Sequence, residues 1–472
     1  MNVFKSNNFP VYLPLLLSEI YLFSTLGLLF FGPLIWPISN SLKFTLFVLF
    51  YQIAFALGYI AFVKIFSCQL KRPENSFCAE KFFTQRFWVV ASGAFVATLI
   101  SHRNLVHSDS YIPWTFFSDL QKGLEDPAGV RNFYASDEFT AKFRGNTPVS
   151  ALLVLVGVFK YSLLPGLVFL WNKLSVIKKT IGMIVALLPV ASGICISLSA
   201  TSFVFVFVVA ISFGVLILRE KKMSVLRNRL SILAILFGLS VFSVLNFYQI
   251  KTGTSFMSVA TGKAVPHRFD YLRDKGVIFK SDSSRGTVTA TTDLYEKITV
   301  YLVNGYFGMS LALEEEFDST FGLGHSLFLQ RIFDTHLGSN LSIRTFQHKI
   351  SHKWDKNILW HSAYSYFAND VGFFGVALVM FILGFFLSMC VWASVMDGNL
   401  IASSLIPLFG IMVLYLPANN QIFSFLETMC SFWILSFFLL FFQFQGKDLL
   451  VDKKRVMSVF FTNLLIRIRN LV

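Results

Sequence analysis

The sequence predicts an all-α polytopic membrane protein, with about ten transmembrane helices and one large, mainly helical external insert. Three observations carry that prediction. Hydrophobic residues make up 55% of the chain and charged residues only 14%, against about 25% charged in soluble domains, and the mean hydropathy is +0.64. Apolar runs of 17 or more residues recur between short polar clusters, as membrane-crossing helices require. One long hydrophilic stretch, Gln249 to about Asn369, interrupts the pattern and holds six of the eight histidines. A connection that long inside an ordered chain is functional or disordered, and this one carries enough aromatic and aliphatic residues to pack.

Taken in order, the spans are Val11–Leu34, Leu42–Phe66, Phe87–Ser101 (short, extended by its flanks) and Pro148–Trp171. The apolar run Ile181–Leu218 is too long for one crossing at 1.5 Å per residue, so it divides near Ser197–Thr201 into two. Leu230–Phe247 follows, and after the insert come Val371–Val395, Leu400–Leu416 and Ile422–Phe444. The chain therefore divides into 1–248 (seven spans, with a mixed loop 102–147), the insert 249–369, three spans in 370–446, and a tail 447–472. The segment Val456–Val472, with Arg467 and Arg469, reads as an amphipathic helix on the inner membrane surface. Ile298–Leu313 is apolar but short and contains Asn304, Gly305 and Gly308. It is expected to be a helix of the insert that packs on the membrane domain or lies in the interface.

Orientation follows from the basic residues. With both termini in the cytoplasm, the basic loops 67–86, 173–180 and 219–229 and the tail all fall inside, while loop 102–147 and the insert fall outside. The net charge of +14 is thereby accounted for by lipid and topology, and no nucleic acid is implied as a partner. Every histidine lands outside, and all five cysteines land inside or within spans, so no disulfide orders the insert. No cleavable signal peptide is evident before the first span.

Soluble-enzyme motifs are missing: no phosphate-binding Gly-rich loop before a Lys, no paired CxxC, no G-x-S-x-G and no H-E-x-x-H. Chemistry must then come from scattered polar groups on the outer side. Arg268, Arg285, Arg331, Arg344 and Lys349 are candidates for binding an anionic, phosphate-bearing substrate, because Arg forks match phosphate oxygens and stay charged; the competing reading is a solvated, charge-balanced loop. Arg344, His348 and His352 fall at i, i+4 and i+8 and would share one helix face. Neither His has an acid at matching spacing, so no metal or other cofactor is expected. Asp370 is a candidate base, or the group that orients one, with a helix N-terminal charge as its structural alternative. His361 and His352 are further candidate bases near neutral pH. Within the spans, Lys160 stands out as an ion whose partner would be Glu19 or Glu427.

Two segments carry a resemblance. Asp370-Val371-Gly372-Phe373-Phe374-Gly375 resembles the Asp-Phe-Gly-x-x-Gly-like motif that opens a late span, after an aromatic-rich stretch, in the oligosaccharide repeat-unit polymerases (the O-antigen polymerase, or Wzy, family), with Val371 in place of Phe. Gly305-Tyr306-Phe307-Gly308 through Ala312-Leu313, followed by the turn Thr320-Phe321-Gly322-Leu323-Gly324, resembles a second segment of that family. The resemblance covers about Arg285 to Leu387. It implies a GT-C-like, metal-independent glycosyltransferase of the bacterial inner membrane. Such an enzyme polymerises undecaprenyl-pyrophosphate-linked repeat units of O-antigen or capsule on the periplasmic face. Lipid-linked glycans and membrane lipid would be its partners, together with a chain-length regulator. The competing readings are an O-antigen ligase that transfers glycan to lipid A core and, from a different class, a transporter or flippase.

Overall fold

A computed structural model describes residues 9–65, 79–106, 114–135, 148–197, 199–220, 238, 267–280, 290–356 and 359–444. The helices are α1 (Phe9–Phe31), α2 (Ser41–Ile65), α3 (Ala79–Gln85), α4 (Phe87–Val106), α5 (Phe116–Glu125), α6 (Pro127–Ala135), α7 (Leu153–Leu170), α8 (Val176–Cys195), α9 (Ser199–Arg219), α10 (His267–Asp274), α11 (Ala290–Ala312), α12 (Leu327–Leu337), α13 (Leu341–Arg344), α14 (Phe346–Lys349), α15 (Ala363–Val395), α16 (Leu400–Tyr415) and α17 (Leu426–Phe444). Six of them, α1, α2, α4, α7 with its flanking turns, α8 and α15, are long and apolar enough to cross a membrane, and α9, α16 and α17 are shorter apolar helices. The protein is membrane-embedded and helical. The predicted span Leu230–Phe247 (save Gly238), Arg285 and the tail lie outside the described residues. The predicted division of the 181–218 run is present, with α8 ending at Cys195 and α9 starting at Ser199.

The central pair is α2 and α15. A Cβ on Gly58 would come within 1.9 Å of the Phe381 carbonyl oxygen, and one on Gly384 within 2.1 Å of the Phe55 carbonyl oxygen. These two glycines let the backbones touch, which is how helices gain contact where lipid offers no hydrophobic drive. Gly372 and Gly375, at the start of the span predicted from Val371, play no such part. Gly372 breaks the helix (φ 68°, ψ 166°), and a Cβ on Gly375 would meet its own Val371.

Helix ends sort into two faces. At one, Lys173 pairs with Glu80, the Lys178 ammonium donates to the Thr84 carbonyl at 2.8 Å, and Arg219 Nη2 donates to Ser394 Oγ at 2.8 Å and to Ser403. At the other lies the insert. Here the α1–α2 connector forms a two-residue antiparallel ladder, β1 (Leu34–Ile35) with β2 (Ile278–Phe279), the one departure from an all-α chain among the described residues. Asn40 Nδ2 donates to the Ser310 carbonyl at 2.8 Å and Lys43 Nζ to the Leu313 carbonyl at 2.6 Å. Helix α11 is not a surface helix. Val303, Tyr306, Met309 and Ala312 are fully buried against α1, α2 and α15. Tyr306 lies edge-on to Phe44 of α2 and stacks on Tyr364 of α15.

Candidate functional site

Helix α15 begins at Ala363, eight residues before the expected span, and breaks at Gly372. That pair of φ and ψ values is open in practice only to glycine. Around the break, three carbonyl oxygens take donors from outside the helix. Tyr51 OH donates to Phe373 O at 2.7 Å, Ser319 Oγ to Asp370 O at 3.2 Å, and Thr320 N to Asn369 O at 3.0 Å. The turn 319–325 is thus laid across the kink, beside the Asp370 side chain.

Four donors surround that carboxylate. Thr320 Oγ1 stands 2.5 Å and Gly324 N 2.7 Å from Oδ1, while His325 N and His325 Nδ1 both stand 2.9 Å from Oδ2. Gly324 fits because any Cβ there would collide with Thr320 Oγ1 at 1.9 Å and Asn369 Cβ at 2.7 Å. The Asp370 side chain is only 8% exposed and that of His325 21%. An ionised carboxylate can only accept, so the ring proton belongs on His325 Nδ1 and Nε2 is left as an acceptor. Phe423 lies edge-on to the ring at 5.6 Å.

The loop that presents this pair is tied down from several directions. Asn369 Nδ2 donates to Gly324 O at 3.0 Å and to Gln347 Oε1 at 2.8 Å, and its Oδ1 accepts from Phe346 N at 2.9 Å. Gln330 Nε2 donates to Gly324 O and Asn420 Nδ2 to His325 O, both at 2.6 Å. Ser326 caps α12 by accepting from Leu329 N. Backbone and side chain of His325 are therefore fixed by α12, α14, α15 and the α16–α17 connector together, the rigidity a reacting group needs.

From Leu327 onward α12 lines a cavity of about 1070 Å³. Arg331, His336, Gln421, Asn104 and Ser150 line it together with apolar side chains of α4, α7, α8 and α9. An ion pair sits in the wall: Lys160 Nζ of α7 lies 2.6 Å from Glu427 Oε2 of α17 and 3.3 Å from Ser101 Oγ of α4, and Ser101 also donates to Glu427. Of the two partners weighed for Lys160 from sequence, the structure places Glu427 in contact.

The remaining sequence-predicted residues scatter. Arg331 lines the cavity. Arg344 stands 3.8 Å from Asp318 and over the Phe321 ring at 5.6 Å, beside the 319–325 turn. Lys349 donates to Glu316 O at 2.6 Å. Arg344, His348 and His352 do not share a helix face, because extended backbone at Thr345 (φ −70°, ψ 146°) separates α13 from α14, and α14 ends at Lys349. His352 is exposed on the turn that follows, its carbonyl accepting from Lys275 Nζ. His361 is fully buried, neither ring nitrogen meeting a partner, and a Cβ on Gly308 would touch both it and Trp354. Burial, with the Lys356 charge adding to it, pulls its pKa down to about 3, so the ring is neutral and enclosed. Arg268 falls on α10. Among the described residues no three His, Cys, Asp or Glu side chains are grouped to hold a metal ion.

Sequence reasoning missed His325 as a site residue and read Thr320 only as part of a turn. The signal for His325 was adjacency to that Thr320–Gly324 turn; 45 residues separate it from Asp370. Comparison of the chain with family models, with curated proteins and with solved structures finds no match in any of the three.

Proposed function

We propose that this protein is a glycosyltransferase that joins lipid-linked saccharide units at the membrane face carrying the insert, extending undecaprenyl-pyrophosphate-linked repeat units with that face periplasmic. The observation that carries the reading is the His325–Asp370 pair held at 2.9 Å, two residues before α12 begins to line a large, mainly apolar cavity that also holds Arg331. His325 Nε2 takes the proton of an attacking sugar hydroxyl. As the new bond to the anomeric carbon forms, the bond to the pyrophosphate oxygen breaks. Asp370 holds the ring in the required tautomer and stabilises the imidazolium. Arg331 in the cavity lining and Arg344 beside the turn supply positive charge for the leaving pyrophosphate. The apolar walls suit a polyisoprenoid tail.

Replacement of His325 by Gln tests this in cells whose own copy is deleted. Saccharide confined to single units supports the reading, and a full-length ladder overturns it. A transport reading draws on a different feature, the Lys160–Glu427 pair inside the cavity. It predicts instead that lipid-linked units accumulate on the cytoplasmic leaflet when the protein is lost.

A further inference from the structure

Helix α5 and the residues beside it leave large apolar side chains uncovered. Trp114 is 79% exposed, Phe117 81%, Leu124 59% and, on α6, Phe133 55%. These exposures have an order around α5. At 100° per residue, Phe116, Leu120 and Gly123 form one face, and Gly123 is buried there against α8, where a Cβ would strike the Ile194 carbonyl oxygen at 2.1 Å. Phe117 and Leu124 form a stripe directly beside that packed face. Ser118, Gln121, Lys122 and Glu125 occupy the opposite side. The apolar arc is thus about twice as wide as the protein surface that covers it.

The level at which α5 sits tells what covers the rest. Its start packs on α4 through the Phe116 and His102 rings, 5.2 Å apart, and on α8 through Cys195 Sγ, 3.8 Å from Phe116 O. Ile194 and Cys195 are the last two residues of α8, whose 20 residues rise about 30 Å, the thickness of the hydrocarbon layer. The outward residues Ile184 and Leu187 of α8 are exposed as lipid-facing residues are. The Phe117–Leu124 stripe lies at the level of that helix end, where the acyl layer meets the headgroups and where Trp and Phe are favoured.

We propose that α5 is an in-plane interfacial helix whose Phe117–Leu124 stripe, with Trp114, is buried in the lipid headgroup–acyl boundary at the end of α8. The occupant of this face is the bilayer itself. The assignment does not depend on the catalytic reading, because it concerns only the membrane surface.

Site-directed spin labelling of the full chain in proteoliposomes tests it. Cys68, Cys78, Cys195, Cys390 and Cys430 are replaced by Ala, and single probes are introduced as Phe117→Cys, Leu124→Cys and Gln121→Cys. The first two probes are expected to collide with membrane-dissolved oxygen several-fold more than with an aqueous nickel chelate, and the Gln121 probe to show the reverse. Equal nickel-chelate access at all three positions would mean that the stripe faces water and would overturn the proposal. Protection of the Phe117 and Leu124 probes from both reagents would mean that protein covers it, and overturns the proposal as well. Two stripe positions are used so that local misfolding of one variant leaves the other decisive.

Discussion

Replacing Asp370 by Asn changes one atom and opposes two hydrogen bonds. The carboxylate accepts on both oxygens, from Thr320 Oγ1 and Gly324 N on one side and from His325 N and Nδ1 on the other. An Asn carbonyl kept toward Thr320 and Gly324 turns its NH2 toward two N–H groups of His325. The ring can relieve one clash by moving its proton to Nε2 and accepting at Nδ1; the backbone N–H of His325 stays opposed. Losing a charge-assisted bond costs about 1.5–3 kcal/mol and a stranded buried N–H about 1–3 more, so stability falls by roughly 3–5 kcal/mol. The effect on catalysis is larger in kind, because the ring's outward nitrogen now carries a proton and cannot accept one. An Asn that imposes the wrong tautomer on a catalytic His costs on the order of 10⁴-fold in rate. The assay is the saccharide ladder from cells expressing the variant, alongside its abundance in the membrane fraction and its thermal unfolding in detergent. Asp370→Asn that is folded, abundant and still produces wild-type ladder would refute the reasoning, since no assignment of His325 as base survives the tautomer exchange.

Two further outcomes follow from groups away from that pair. Glu427→Leu strands the Lys160 ammonium in a wall where its side chain is only 16% exposed, which is expected to cost about 3–5 kcal/mol, whereas Lys160→Met with Glu427→Leu restores much of it; a double-mutant cycle on thermal unfolding reads the difference, and additive losses would show that the two charges do not interact. The His361 ring stays neutral in the folded protein down to about pH 3, whereas unfolded it titrates near 6.5. Below pH 6.5 the unfolded chain therefore binds the extra proton, and stability is lost as pH falls from about 6.5 toward 3, by at most about 1.4 kcal/mol per unit. His361→Phe is expected to flatten that acid limb in unfolding measured between pH 7.5 and 5, and an unchanged slope would place the proton uptake elsewhere.

The apolar runs located helices α1, α2, α4, α7, α8, α15 and α16 to within a few residues, save the start of α15, because hydropathy is a local property and lipid rewards each helix separately. The break at 370–375 was legible as the opening of a span, since Asp370 and Gly372 are poor company for a helix interior. It was not legible as a kink inside a longer helix, because the aromatic residues Tyr364–Phe367 before it are fully or nearly buried by α2, α11 and the α16–α17 connector. The expected basic face through Arg344, His348 and His352 failed for a related reason: Thr345 caps α14 with its own side chain, a choice that spacing alone does not reveal.

The membrane-embedded helical class, the apolar helices among the described residues and the short menu of charged residues available for chemistry were legible in the sequence alone. Which of those residues meet was decided only in three dimensions. Asp370 was readable as polar and out of place, but its partner is a histidine that the sequence left undistinguished among eight, brought to it by a turn pinned on helix carbonyls. The Lys160–Glu427 contact joins residues 267 apart in the chain. Pairings across such distances are set by how the helices pack, and packing depends on side-chain shape summed over many segments, which periodicity and charge counting do not contain.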